Sequence, residues 1–353
     1  MRKRIFPQLD GLRAVAALMV VIHHFWPESA RWDTTGGRLG VDIFFVLSGY
    51  LITRTLLNAQ AVSPEGRSMT LKKFYARRIR RIFPVYYVTL ALAATIPSER
   101  TIALLWHAAF LSNLLFILKG RFVGAGGHLW ALAVEQHFYL FWPWLVLFIP
   151  RKFLGSAATA MIGIGLLFRI IGGLRDWTPV TMYVMTPGAF EALGAGAWMA
   201  AWMERREDAP ERLGWWISAV GLAGLAFWGL RVGTSGTTVG PVCSLLFTEL
   251  SRALMLTWLI AQAVWGIPGW IGRMLESIPA RAIGRWSYAI YLSHNFFFAM
   301  MKARPRHLPG LSIHDSQALL ALAVTLIWSA ACYHLLEKPL LARPPVQRDM
   351  IPA

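Results

Sequence analysis

Apolar runs of bilayer-crossing length alternate with short polar loops along almost the whole chain. The runs at 12–27, 40–57, 82–97, 128–149, 157–174, 182–203, 213–231, 241–265, 283–301 and 316–336 are each predicted to form a transmembrane helix, since about 20 predominantly apolar residues span a hydrocarbon core. The expected fold is all-α: a polytopic integral membrane protein of about ten transmembrane helices with short loops. An eleventh run, Ile102 to Leu118, is long enough to cross but contains His107, Ser112 and Asn113. It is expected to be an outer-side or re-entrant element; counted as a span, it would move Arg151, Lys152 and every later loop to the opposite side.

With that run kept on the outer side, both termini are cytoplasmic. So are MRKR at the start, the loop from Arg54 to Arg81, Arg151 with Lys152, Arg205 with Arg206, and the segment from Arg273 to Arg285. Roughly twice as many Lys and Arg then face the cytoplasm as face outward, as the positive-inside rule requires. Lys302, Arg304 and Arg306 run against it.

Composition agrees with the pattern. The 353 residues are 56% hydrophobic with 17 Trp and only 15% charged, and the mean hydropathy is +0.48, a balance outside the range of soluble domains. The formal charge of +17 would suit a nucleic-acid binder, but the basic residues sit in short loops between apolar runs, so membrane lipid and not nucleic acid is the expected macromolecular neighbour. Cys243 and Cys332 both fall inside apolar segments without metal-ligand spacing and read as small core residues. MRKR before an apolar run imitates a signal peptide, but Arg13 and two histidines inside that run, with no small-residue cleavage pattern after it, predict a retained first helix. With no long hydrophilic insertion, low-complexity tract or visible repeat, residues 1–353 read as one integral membrane domain.

Four stretches carry candidate chemistry. In LDGLRAVAALMVVIHH, Leu9 to His24, the eleven-residue step from Arg13 to His24 turns a helix through roughly 1100° and returns both residues to one face, about 16 Å apart along the axis. Snorkelling of Arg13 to a headgroup is the plain alternative. In GVDIFFVLSGYLIT, Asp42 lies in the first turn of a span entering from the outer side. It suits the helix macrodipole, and it also lies at the depth of His24, where a carboxylate could orient the imidazole as a general base. KKFYARRIRRIFPVYY packs Arg77, Arg78, Arg80 and Arg81 before Pro84; such a cluster touches anionic lipid or binds phosphate through guanidinium forks. In HLWALAVEQHFYLFWP, Glu135 lies about a third of the way down a span and should face the protein interior, either as counter-ion to Arg13 or Arg169 or in catalysis; His128 sits at its outer end. Further intramembrane groups are Arg169, Glu191, the i,i+3 pair Glu249 and Arg252, whose spacing suits mutual neutralisation, and His294 in SYAIYLSH. His334, Glu337 and Lys338 close the chain at a cytoplasmic edge.

Taken in order, LDGLRAVAALMVVIHH, GVDIFFVLSGYLIT, RRIRRIFP, HLWALAVEQHFYLFWP and SYAIYLSH resemble the acyltransferase-3 family, the bacterial membrane O-acyltransferases, over essentially the whole chain. The resemblance implies transfer of an acyl group, usually acetyl, from cytoplasmic acyl-CoA to a hydroxyl of a cell-surface glycan or glycoside across the inner membrane. Arg13 and His24 match the family's essential pair, and Arg78 with Arg81 its cytoplasmic arginine motif. Two departures stand out. Ala131 and Ala133 replace the family's usual Ser, removing any hydroxyl expected beside Glu135, and Ala189, Phe190 and Glu191 stand where Arg, Phe and Asp are common.

The expected mechanism joins these readings. Acyl-CoA, with acetyl-CoA as the expected donor, is held by Arg77, Arg78, Arg80 and Arg81 and passes Arg13 toward His24. His24, oriented by Asp42 or Glu135, takes the proton of the acceptor hydroxyl, with His128 and His294 as further substrate contacts and no metal. An acyl-histidine relay is the variant of this scheme. The rival class is a transporter or flippase using the same buried charges; a non-catalytic sensor on the same scaffold is a third.

Overall fold

The computed structural model describes residues 6–26, 36–62, 66–96, 101–204, 218–219, 221–224, 226, 241–303 and 307–342. MRKR, Arg205, Arg206, Arg304, Arg306, the side chain of Cys243 and most of the predicted span 213–231 lie outside the described residues. Among the described residues the chain is helical throughout, with no strand. The helices are α1 (Pro7–Phe25), α2 (Gly36–Val62), α3 (Gly66–Ala93), α4 (Thr101–Ala108), α5 (Ser112–Lys119), α6 (Trp130–Phe148), α7 (Leu154–Leu174), α8 (Pro179–Val184), α9 (Phe190–Glu204), α10 (Pro241–Trp265), α11 (Gly269–Glu276), α12 (Ile278–Ala303), α13 (Ile313–Cys332) and α14 (Lys338–Ala342).

The count of ten spans is not reached by length and apolarity alone. Among the described residues, three helices meet both conditions, at Gly36–Ala61, Arg151–Leu174 and Ile313–Ala342, and a fourth span is formed if α10 and α11, bent by 80°, are joined. The physical reason lies in the other long helices. α1, α3, α6 and α12 carry the histidines, arginines and carboxylates of the sequence motifs, and those polar groups lower their mean hydropathy. The run Ile102 to Leu118 is not one helix. It breaks at Phe110, which has a left-handed φ of 56°, into two eight-residue helices, each about 12 Å long and too short to cross alone. Its polar residues turn into the protein: His107 shares a 2.8 Å hydrogen bond with Ser112, and the Tyr86 hydroxyl donates to the His107 carbonyl at 2.6 Å.

Two packing devices position the site. α2 and α9 cross at a reciprocal glycine contact, where a Cβ on Gly49 would collide with the Leu193 carbonyl and one on Gly196 with the Val46 carbonyl; small residues permit this backbone approach where lipid gives no hydrophobic drive. α1 is anchored at its start by Gln8, whose amide accepts from the Ile267 N–H at 2.7 Å and donates to the Ile267 carbonyl at 3.1 Å and to Glu276 at 2.9 Å. The sharp turn it grips, between α10 and α11, uses Gly266 and Gly269 at φ of 103° and 75°, a region glycine enters without a Cβ penalty. The far end of α1 packs through Phe25, stacked on Phe298 of α12 at 4.6 Å, within an apolar cluster that includes Phe297 of α12 and Ala318 and Ala321 of α13. α1 is thereby held along its length beside α12, with Arg13 near one end and His24 near the other. Cys332 is a buried free thiol at the end of α13.

Candidate active site

A cavity of about 270 Å³ lies between α1, α2, α3, α6 and α12. Its charged lining groups are Arg13, Arg78, Arg81 and Glu135, three guanidinium groups against one carboxylate, so an anionic guest is favoured. The rest of the wall is largely aliphatic and aromatic, including Phe44, Leu51, Ile52 and Leu132. Arg13 Nε donates to Ser287 Oγ at 3.2 Å, which holds the guanidinium at the α1–α12 seam. The Arg78 guanidinium lies 4.9 Å above the Tyr139 ring and 5.4 Å from that of Phe74, a cation–π arrangement that keeps its charge directed inward.

Of the four clustered arginines, only Arg78 and Arg81 line the cavity. Arg77 is exposed, and Arg80 turns back to the Ala76 carbonyl at 3.3 Å. The three-residue step from Arg78 to Arg81 keeps both on one helix face, and Arg77 and Arg80, expected to share the site, lie outside the cavity wall.

Glu135 accepts hydrogen bonds from Ser48 of α2 and from Tyr139, one turn along α6. The hydroxyl that Ala131 and Ala133 fail to provide therefore arrives from another helix. Neither Arg13 nor Arg169 is an ion-pair partner of Glu135; Arg169 pairs with Glu191 at 2.5 Å. A lone serine in an apolar run, such as Ser48, carries no signal of its own, whereas Tyr139 is readable from its i,i+4 spacing to Glu135.

Asp42 does not orient His24. Its carboxylate is engaged by Arg38 and Arg252, each at 3.1 Å, within a buried network that also contains Arg169, Glu191 and Glu249. The pairing of Glu249 with Arg252 is observed, and Arg38, four residues before Asp42, is the member that the sequence reading missed. This network of three cations and three anions ties α2, α7, α9 and α10 together, because buried charges persist only when paired.

His24 lies elsewhere, in a cluster of imidazoles, with the rings of His294 at 4.9 Å and of its neighbour His23 at 5.2 Å. Its Nδ1 is 2.9 Å from the Val20 carbonyl and 3.2 Å from His294 Nε2, and its ring centroid is 6.3 Å from that of His128. His128 and His294 are fully enclosed, with centroids 4.7 Å apart. Among the described residues, no group of three or more His, Cys, Asp or Glu side chains is arranged to hold a metal ion. His24 is not among the residues lining the cavity, so the expectation that Arg13 and His24 look into one open space is not met. Tyr291 belongs to both regions: its ring lines the cavity, packs at 5.7 and 5.9 Å from His128 and His294, and its hydroxyl donates to the His128 carbonyl at 2.8 Å. Phe44, a second lining residue, meets Tyr291 edge-on at 6.0 Å.

The family model described as an acyltransferase domain matches residues 6–334. Among curated relatives, the chain is 28% identical to the peptidoglycan O-acetyltransferase OatA of Listeria monocytogenes, over 96% of this chain and 56% of that protein. It is 29% identical to YrhL of Bacillus subtilis, provisionally named a peptidoglycan O-acetyltransferase, over 96% of this chain and 55% of the relative. A Staphylococcus aureus protein provisionally named an O-acetyltransferase is 28% identical, over 96% and 58%. The chain thus spans little more than half the length of these relatives. No solved structure matches it.

Proposed function

The chain belongs to the acyltransferase-3 family, and from that premise we propose that it moves an acyl group, acetyl in the simplest case, from cytoplasmic acyl-CoA to a hydroxyl of an outer-side glycan such as peptidoglycan. The observation that carries this reading is the cavity itself. It is net cationic and largely apolar in its walls, which suits a thioester on an uncharged arm attached to a phosphate-bearing head. Arg78 and Arg81 are the groups to meet the phosphates, since guanidinium forks bind them bidentately, and Arg13 is the next cation along the arm.

In this reading the protein lies in the bacterial inner membrane with both termini in the cytoplasm, which puts the Arg78 and Arg81 end inside the cell and the His24 end toward the outer side. The acceptor hydroxyl gives its proton to His24 as its oxygen attacks the thioester carbonyl carbon, the C–S bond breaks, and CoA leaves as the thiolate. Tyr291 lines the cavity and packs on His128 and His294, so in this reading it must shift for the thioester to meet His24.

The test uses purified protein in proteoliposomes given radiolabelled acetyl-CoA on one side and peptidoglycan fragments on the other. Label in the fragments is expected with wild type and absent with His24→Ala, while His23→Ala remains active. Equal labelling by wild type and His24→Ala removes the mechanism, and movement of intact donor or glycan without acyl transfer makes the protein a transporter.

A further inference from the structure

Imidazoles packed without a carboxylate raise the question of what prepares His24 to accept a proton. The hydrogen-bond pattern answers it. His294 Nδ1 faces two carbonyl oxygens of its own helix, Tyr291 O at 2.8 Å and Ile290 O at 3.2 Å. Two acceptors around one ring nitrogen require that nitrogen to carry a proton, and because the fully buried ring has no carboxylate among the described residues to pair a cation, His294 is neutral with a bare Nε2. That lone pair points at His24 Nδ1, 3.2 Å away.

His24 Nδ1 in turn faces two acceptors, His294 Nε2 and the Val20 carbonyl at 2.9 Å. The opposite assignment would set an Nδ1 lone pair of His24 against the Val20 oxygen and an Nδ1 lone pair of His294 against two more, three repulsive contacts in a buried site. His128 does not compete for the pair, because its Nε2 lies 3.0 Å from the Leu292 carbonyl and donates there.

We infer that His294 is a positioning residue for His24: by accepting the Nδ1–H hydrogen bond together with the Val20 carbonyl, it holds the imidazole ring in place and in the tautomer whose Nε2 lone pair is free to act as base. The inference rests on the proposed role of His24 and adds the group that does for it what a carboxylate does in other triads. No charge is introduced by this device, which suits a site where an unpaired buried carboxylate would be costly. When the acceptor's proton arrives at Nε2, the Nδ1–H bonds to His294 and Val20 strengthen on the cationic ring.

Two measurements test it. Nitrogen-15 spectra of histidine-labelled wild type, with His24 assigned by its loss in His24→Ala, are expected to show His24 protonated at Nδ1 and bare at Nε2; the reverse tautomer overturns the inference whether or not the protein transfers acetyl. In the proteoliposome assay, His294→Leu is expected to lower kcat by about a hundredfold, within the usual range for general-base catalysis. Its KM for acetyl-CoA is expected to be unchanged, because His294 does not line the donor cavity. His294→Gln, whose amide oxygen can accept from Nδ1–H, is expected to recover most of that loss. Wild-type kcat in His294→Leu, a matching rise in KM, or a Gln variant as inactive as Leu would each overturn the positioning role. Should wild type itself transfer nothing, the proposed function fails, while a His24 nitrogen-15 signal identical in wild type and His294→Leu still overturns the His24–His294 pair, since the Val20 carbonyl alone would then set the tautomer.

Discussion

Ser48 donates its hydroxyl proton to Glu135 across the interface of α2 and α6, and Tyr139 donates to the same carboxylate oxygen. The carboxylate is thereby held in the cavity wall without an ion-pair partner from Arg13, leaving Arg13, Arg78 and Arg81 available to an anionic guest. Glu135→Gln keeps the shape but weakens both bonds. We expect it to lower acetyl transfer about tenfold or more, with affinity for CoA retained or raised because one negative charge has left a cationic cavity. Paired calorimetry and turnover assays check both halves.

The arginine helix face gives a contrast within one cluster. Arg78→Ala and Arg81→Ala should each weaken CoA binding about tenfold or more, the worth of a charge-assisted hydrogen bond, with a strong dependence on salt. Arg77→Ala and Arg80→Ala should change it little. Equal effects at all four positions in calorimetry would return the cluster to lipid contact.

Asp42 is a stability residue in this arrangement. Asp42→Ala leaves Arg38 and Arg252 inside the bundle with Glu249 as the carboxylate they share and should destabilise the protein by about 3–5 kcal/mol, as removal of one partner from a buried ion network does. His24→Ala should change the melting temperature far less. Thermal unfolding in detergent, followed by circular dichroism, separates the two.

The α2–α9 crossing offers a packing test. Gly196→Ala puts a methyl group onto the Val46 carbonyl and should cost about 1–3 kcal/mol, as overpacking does. Because Ser48 of α2 reaches Glu135 through this same segment, transfer should fall as well. Gly163→Ala, whose Cβ meets nothing within 4 Å, is the control.

Helix periodicity made several features readable before any tertiary contact was known. Arg13 and His24 on one face, Arg78 with Arg81, and the Glu249–Arg252 pair all follow from spacing within a single element. What the chain order could not convey is which helix faces which. Asp42 and His24 were expected at similar depth, yet α2 turns Asp42 toward Arg38 and Arg252 of the charge network and away from α1.

The amino-acid sequence by itself determined an all-helical chain of alternating apolar runs and basic loops, and the family to which it belongs, because composition and short-range spacing are local properties. Tertiary structure alone decided that Ser48 supplies the hydroxyl beside Glu135, that Tyr291 stands at the meeting of cavity and histidines, and that His294 faces His24. Each of these joins residues far apart in the chain, and backbone approach at sites such as Gly49 on Leu193 fixes such meetings through packing geometry that no periodicity encodes.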